Sequence, residues 1–266
     1  MKRACVALTI LLIFTGLAAC SSPGSKKAAD AKEAEADISP ERKRALAEAT
    51  RNVGEAYLGG GNTLAALREL KKAEALNPDD HITQFDLGLT YYYRDRYDLA
   101  VEHLQRAIQL KPDYAPAINT LGNTYSAMGQ WDKAIEVYEK IIEDAFYGTP
   151  HFALSNMGVA YHHKKDYAQA EHYFLEALKL NPDFINALAG LGTMYIDQGR
   201  YDEAVVRLGR AVRKDPKVGK LHFELGRAYR GQGDTVKARA EFAKTVELAP
   251  DTPLADEAQR ELKKTP

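Results

Sequence analysis

Between residues 47 and 252 the apolar positions recur with helical rather than alternating spacing. Phe85, Leu87, Gly88 and Tyr91 fall on one predicted helix, and after a polar break at Asp95-Arg96, Tyr97, Ala100, Leu104 and Ala107 fall on a second. Pro112 then stops the pattern, because proline lacks an N–H and biases Lys111 away from helical dihedrals. The same phrase returns along the chain. Gly54, Gly88, Gly122, Gly158, Gly192 and Gly226 are spaced 34, 34, 36, 34 and 34 residues apart. Each is followed three residues later by tyrosine (Tyr57, Tyr91, Tyr125, Tyr161, Tyr195, Tyr229) and twelve residues later by alanine (Ala66, Ala100, Ala134, Ala170, Ala204, Ala238). A unit of this length cannot bury a core alone, so the units must stack on one another.

Leu-Gly-x-x-Tyr, then alanine, a large apolar residue and proline is the signature of the tetratricopeptide repeat. The predicted fold is therefore all-α: a superhelix of about six helix pairs at roughly 47–80, 81–114, 115–148, 151–184, 185–218 and 219–252. The small Gly88 and Ala100 let the two helix backbones of a pair approach. Gly61, Gly129, Gly199 and Gly233 fall at the turns, where positive φ is easily adopted. Pro78, Pro182, Pro216 and Pro250 end units as Pro112 does. Ser39-Pro40 reads as an N-cap followed by proline at the first helical position. Residues 253–266 read as a capping helix and tail, with the polar outer face that the end of a stack needs.

The N-terminus departs from this pattern. Lys2 and Arg3 precede an apolar run from Ala4 to Gly16, followed by Leu17-Ala18-Ala19-Cys20. The run is short for a membrane span and has the flanks of a leader peptide over residues 1–19. Small residues ending directly on cysteine resemble the lipobox of bacterial lipoproteins. That resemblance implies lipidation of Cys20, cleavage before it, and a membrane anchor through its acyl chains. Three chains would hold firmly, at about 0.8 kcal/mol per buried methylene. Ser21 and Ser22 follow, and by the sorting rules of such lipoproteins the absence of aspartate after Cys20 implies the periplasmic face of the outer membrane. Residues 20–38 are rich in Ser, Lys, Ala, Asp and Glu and read as a flexible tether spanning about 20–25 Å. Loss of the leader also removes Cys5, leaving no cysteine pair for a disulfide.

A formal net charge of -1, with 45% hydrophobic and 27% charged residues, argues against a nucleic-acid partner. No cofactor, small-molecule substrate or catalytic set is expected. Gly59-Gly60-Gly61-Asn62-Thr63 lacks the lysine of a phosphate loop and falls at a helix turn. The adjacent His162 and His163 would point about 100° apart on a helix, and no carboxylate or cysteine is expected to complete a metal site with them and His172.

The inner wall of such a stack is lined by the first helix of each pair. Projected onto it are Ile82, Phe85, Leu89, Tyr92 and Tyr93 in the second unit, and Asn119, Asn123 and Ser126 in the third. Phe152, Val159 and His162 follow in the fourth, with Lys220, Arg227 and Arg230 in the sixth. This predicts a groove that is aromatic at its start, amide-lined in the middle and basic at its end. Phe85, Tyr92 and Tyr93 would anchor the apolar side chains of a peptide, and Asn119 and Asn123 would bond its backbone. The lysine and asparagine clamp with which some repeat proteins hold a chaperone's C-terminal carboxylate is not evident, since the first unit carries Arg51 and then Glu55.

The one 36-residue spacing comes from the passage Asp144-Ala-Phe-Tyr147-Gly-Thr-Pro150, which leads into Asn156-Met-Gly158. With the lipobox, this passage resembles the type IV pilus biogenesis and stability lipoproteins of the PilF/PilW type, over nearly all of the mature chain. The resemblance implies a non-enzymatic pilotin, which binds a subunit of the pilus secretin and promotes its outer-membrane localisation and assembly. The alternative is a lipoprotein adaptor for peptidoglycan hydrolases or a periplasmic protease.

Overall fold

The computed structural model describes residues 39–142 and 148–264. The expected leader, Cys20, the tether and the Asp144–Tyr147 passage lie outside the described residues. Leu46–Pro266 forms one compact unit.

Thirteen helices and no strand occur among the described residues: α1 Pro40–Gly59, α2 Thr63–Leu76, α3 His81–Tyr92, α4 Tyr97–Leu110, α5 Ala115–Ala127, α6 Trp131–Ile142, α7 Pro150–His163, α8 Tyr167–Leu180, α9 Ile185–Asp197, α10 Tyr201–Lys214, α11 Gly219–Gln232, α12 Thr235–Leu248 and α13 Pro253–Lys264. From α3 onward each odd-numbered helix packs on the even-numbered helix after it, and each pair packs on the next. The expected all-α stack of six helix pairs and a closing helix is what the chain forms.

One packing rule explains the recurring glycine. A Cβ added at Gly54, Gly88, Gly122, Gly158, Gly192 or Gly226 would lie inside 3.0 Å of Leu70, Leu104, Tyr138, Phe174, Leu208 or Phe242 respectively. Each of these bulky residues sits sixteen positions after its glycine and is fully buried. The alanine at position twelve is likewise fully buried in all six pairs. The core then runs continuously from Ala100 to Ala228 through two clusters that share Ile142, Tyr161 and Tyr173.

The turns divide in a way the sequence only half shows. Gly61, Gly129, Gly199 and Gly233 adopt φ between +71° and +82°, as expected. In the remaining two pairs the same left-handed position is held by Asp95 at +56° and Lys165 at +62°, which carry the steric cost of a Cβ there. The unit-ending prolines each follow a helix by two residues, as at Leu110 and Pro112. At the far end, Thr252 caps α13 by accepting from the Ala255 N–H at 3.2 Å, and Ala255 and Ala258 are buried beneath it. At the near end Val53 is 47% exposed, whereas its equivalents Leu87, Leu121, Met157, Leu191 and Leu225 are buried.

Candidate partner-binding groove

The odd-numbered helices touch their odd-numbered neighbours as well as their own partners: α3 meets α5, α5 meets α7, and α7 meets α9. These contacts bring the residue after each repeating glycine towards the residue two before the next one. Two such joints are polar: Glu55 with Asp86, and Asn123 with Asn156.

The central joint is the best defined. Asn123 Oδ1 accepts from the Tyr138 hydroxyl at 2.6 Å and from Asn156 Nδ2 at 2.9 Å. Both acceptor positions of Asn123 are thereby used, which fixes its amide orientation and leaves its NH2 to donate. Asn156, a donor in this pair, keeps its carbonyl oxygen. Asn123 and Asn156 are both half-buried, and neither Asn123 Nδ2 nor Asn156 Oδ1 is sealed from solvent. One free donor beside one free acceptor is the complement of a peptide bond. A recess of about 280 Å³ adjoins the pair, lined by Tyr92, Asn123, Ser126, Trp131, Tyr138, Asn156 and Val159 among others.

Tyr92, Asn123, Ser126 and Val159 were predicted on this wall, and the fold brings them together. Trp131, Tyr138 and Asn156 join them from positions that the inner-wall projection did not reach. Tyr138 occupies the bulky position opposite Gly122, which elsewhere holds leucine or phenylalanine, so its hydroxyl was the signal in the sequence. Trp131 opens α6 and stacks flat on His163, with ring centroids 4.2 Å apart.

The other predicted residues are placed as follows. Phe85 is half-buried and meets Tyr114 edge to face at 5.5 Å. Ile82 and Leu89 are half-buried on the same helix. Tyr93 is 60% exposed, and its ring meets Tyr92 edge to face. Asn119 turns its Oδ1 inward, where no donor reaches it. The basic end is largely neutralised: Arg227 pairs with Glu224 at 2.7 Å and with Asp197 at 3.8 Å, and Arg230 pairs with Glu261 of α13. Lys220 stays exposed. Of the three histidines, His162 bonds Asp197 at 2.9 Å, His163 lies on Trp131, and His172 is exposed.

The first joint carries a different chemistry. Arg51 of α1 donates to Asp80 at 2.9 Å and to Glu55 at 3.1 Å, and Asp80 in turn caps α3 through the Ile82 and Thr83 N–H groups. Burial works against the charge of Asp80, but hydrogen bonds from Thr83 and Arg51 outweigh it and hold its carboxyl below the usual range. Asp86 has no such support. Burial, followed by the negative charge of Glu55, pushes its carboxyl up to about 8.

These helix pairs define a repeat scaffold with a lined inner wall. Profiles of the tetratricopeptide repeat match residues 82–145, 113–183, 161–217 and 195–262, and the chain belongs to that family. BBSome complex member BBS4 of Bos taurus is 28% identical over 204 residues, 77% of this chain and 39% of that protein. The Hsp70-Hsp90 organizing protein of Triticum aestivum is 27% identical over 95 residues, 36% of this chain and 16% of that protein. The chain thus spans about two-fifths or less of the length of these relatives. Among solved structures, PilW, a widely conserved type IV pilus biogenesis factor, superimposes with a TM-score of 0.73 at 18% identity, over 80% of this chain and 98% of that one. The pilF protein of Pseudomonas aeruginosa gives 0.68 at 20% identity, over 82% and 99%. At these identities the likeness is one of fold.

Proposed function

We propose that the protein is a non-enzymatic scaffold that holds an extended segment of a partner polypeptide along its inner wall, acting as a lipid-anchored pilotin for a type IV pilus secretin at the outer membrane. The observation that carries the binding mode is the Asn123–Asn156 joint. It presents one free amide donor and one free amide acceptor beside the Tyr92 and Trp131 recess. Such a pair fixes the backbone register of a peptide, while the aromatic walls take an apolar side chain and supply most of the affinity. Support for the pilus role comes from the lipobox-like leader and from a fold shared with PilW and pilF over nearly their whole length. An acylated Cys20 would raise the local concentration of the scaffold at the membrane where the secretin must insert.

The test is capture of secretin subunits by the purified chain, comparing wild type with Phe85→Ala/Tyr92→Ala. The expected result is at least a tenfold loss of capture with unchanged helicity, since truncating two anchor aromatics costs more than about 1.4 kcal/mol. Equal capture by the variant would move the binding surface off this wall. Absence of secretin capture by wild type would refute the pilotin role.

A further inference from the structure

The Glu55–Asp86 joint lies two units before the Asn123–Asn156 joint and uses the equivalent positions, with carboxyls where the central joint has amides. Its carboxyls are not balanced. Glu55, Asp80 and Asp86 share one guanidinium, Arg51, which bonds Asp80 and Glu55. Asp86 is only 5% exposed, and its Oδ2 is buried with no hydrogen-bond partner. The side chain it faces within bonding range is the Glu55 carboxyl, so the two can be bridged only by a shared proton or by an added cation. A carboxyl oxygen buried at this depth without a partner is costly. The pair is open on one side, because the Glu55 side chain is 44% exposed.

We propose that this joint is a recognition pocket for a lysine or arginine side chain of the segment held in the groove. The inference rests on the groove reading above and specifies its ligand. A cation entering beside Glu55 would take the place of the proton between the two carboxyls and supply the positive charge that the joint lacks. The groups surrounding Asp86 leave room for this assignment. Arg51 and Glu55 come from α1 and Asp80 from the cap of α3, while Tyr114, at the start of α5, carries an edge contact from His81 and has Lys111 5.5 Å from its ring centroid. Of these, Arg51 is the one guanidinium, and its bonds are already committed. The Asp86 carboxyl, held protonated by its burial, must release a proton to pair with an arriving cation. Binding of a basic segment should therefore strengthen as pH rises from 6 to 8.5, the opposite of simple lysine titration.

The spacing gives a further constraint. Packed neighbouring helices lie about 8–10 Å apart, and an extended chain advances about 3.3 Å per residue. Two units correspond to about five or six residues, so the basic side chain should lie that far from the residue gripped by the amide pair.

The experiment is selection from a random twelve-residue peptide library displayed on phage, run with the full chain as wild type, Asp86→Asn and Tyr92→Ala. Asp86→Asn is close to isosteric and removes the acid without opening a cavity; circular dichroism checks the fold of each variant. The expected wild-type peptides carry a lysine or arginine about five or six residues from an aromatic residue. Asp86→Asn should keep the aromatic and lose the basic preference, with at least a tenfold drop in affinity for a selected peptide, and Tyr92→Ala should lose both. A synthetic copy of that peptide with the base replaced by norleucine should bind wild type and Asp86→Asn equally. Wild-type peptides with aromatics but no basic enrichment would overturn this assignment and leave the groove reading intact. Failure of wild type to select any peptide would overturn both.

Discussion

Replacing Gly122 with alanine tests the packing rule and its link to the groove together. The new Cβ would meet three ring atoms of Tyr138 inside 3.0 Å, and Tyr138 is fully buried. Overpacking of this kind costs about 1–3 kcal/mol. Displacing the ring also lengthens the 2.6 Å bond from the Tyr138 hydroxyl to Asn123, adding about 1 kcal/mol. Alanine returns about 1 kcal/mol through its better helix propensity. The net expectation is a loss of about 2 kcal/mol, or roughly 4–8 °C in melting temperature for a chain of this size. The matched control is Gly59→Ala, where an added Cβ meets nothing within 4 Å, so propensity alone should leave stability unchanged or slightly raised. Thermal unfolding followed by circular dichroism measures both, and the Asn123 side-chain amide resonances in a 15N spectrum report whether the groove has shifted. If Gly122→Ala melts as high as wild type with those resonances unmoved, the close approach has been misjudged and Tyr138 does not position the amide pair.

Lys165→Gly should stabilise the chain by about 0.5–1 kcal/mol, because the residue sits at φ +62° where a Cβ is disfavoured; chemical denaturation measures it, and a destabilised variant would show that the lysine side chain contributes more than the strain it carries. Stability should fall as pH rises from about 5 to 9, in part through Asp86. A carboxyl whose folded pKa is raised binds its proton more tightly in the folded state, so its contribution is complete at low pH and is lost as pH passes through about 8. Asp86→Asn should flatten that slope, and an identical slope in the variant would place the titration elsewhere.

The sequence alone determined the helix pairs, their number and their order. A glycine, a tyrosine and an alanine at fixed offsets can recur at this period only if each unit repeats the same two-helix contact, and the structure shows that contact six times. It also placed Tyr92, Asn123, Ser126 and Val159 on one side, because the face of a helix follows from its 3.6-residue turn. Tertiary structure decided what those residues do. Side chains from different units meet only after the units stack, so no periodicity reveals that Asn123 is gripped by Tyr138 and Asn156, or that Trp131 enters the recess from the second helix of its pair. The same reason explains the charges. Arg227 and Arg230 read as a basic groove end, but Asp197 lies one unit away and Glu261 two helices on, and both reach them in the folded stack. In sequence Asp86 is one helical carboxylate among many. Only the packing of α3 against its neighbours buries it beside Glu55 and makes a polar residue a site.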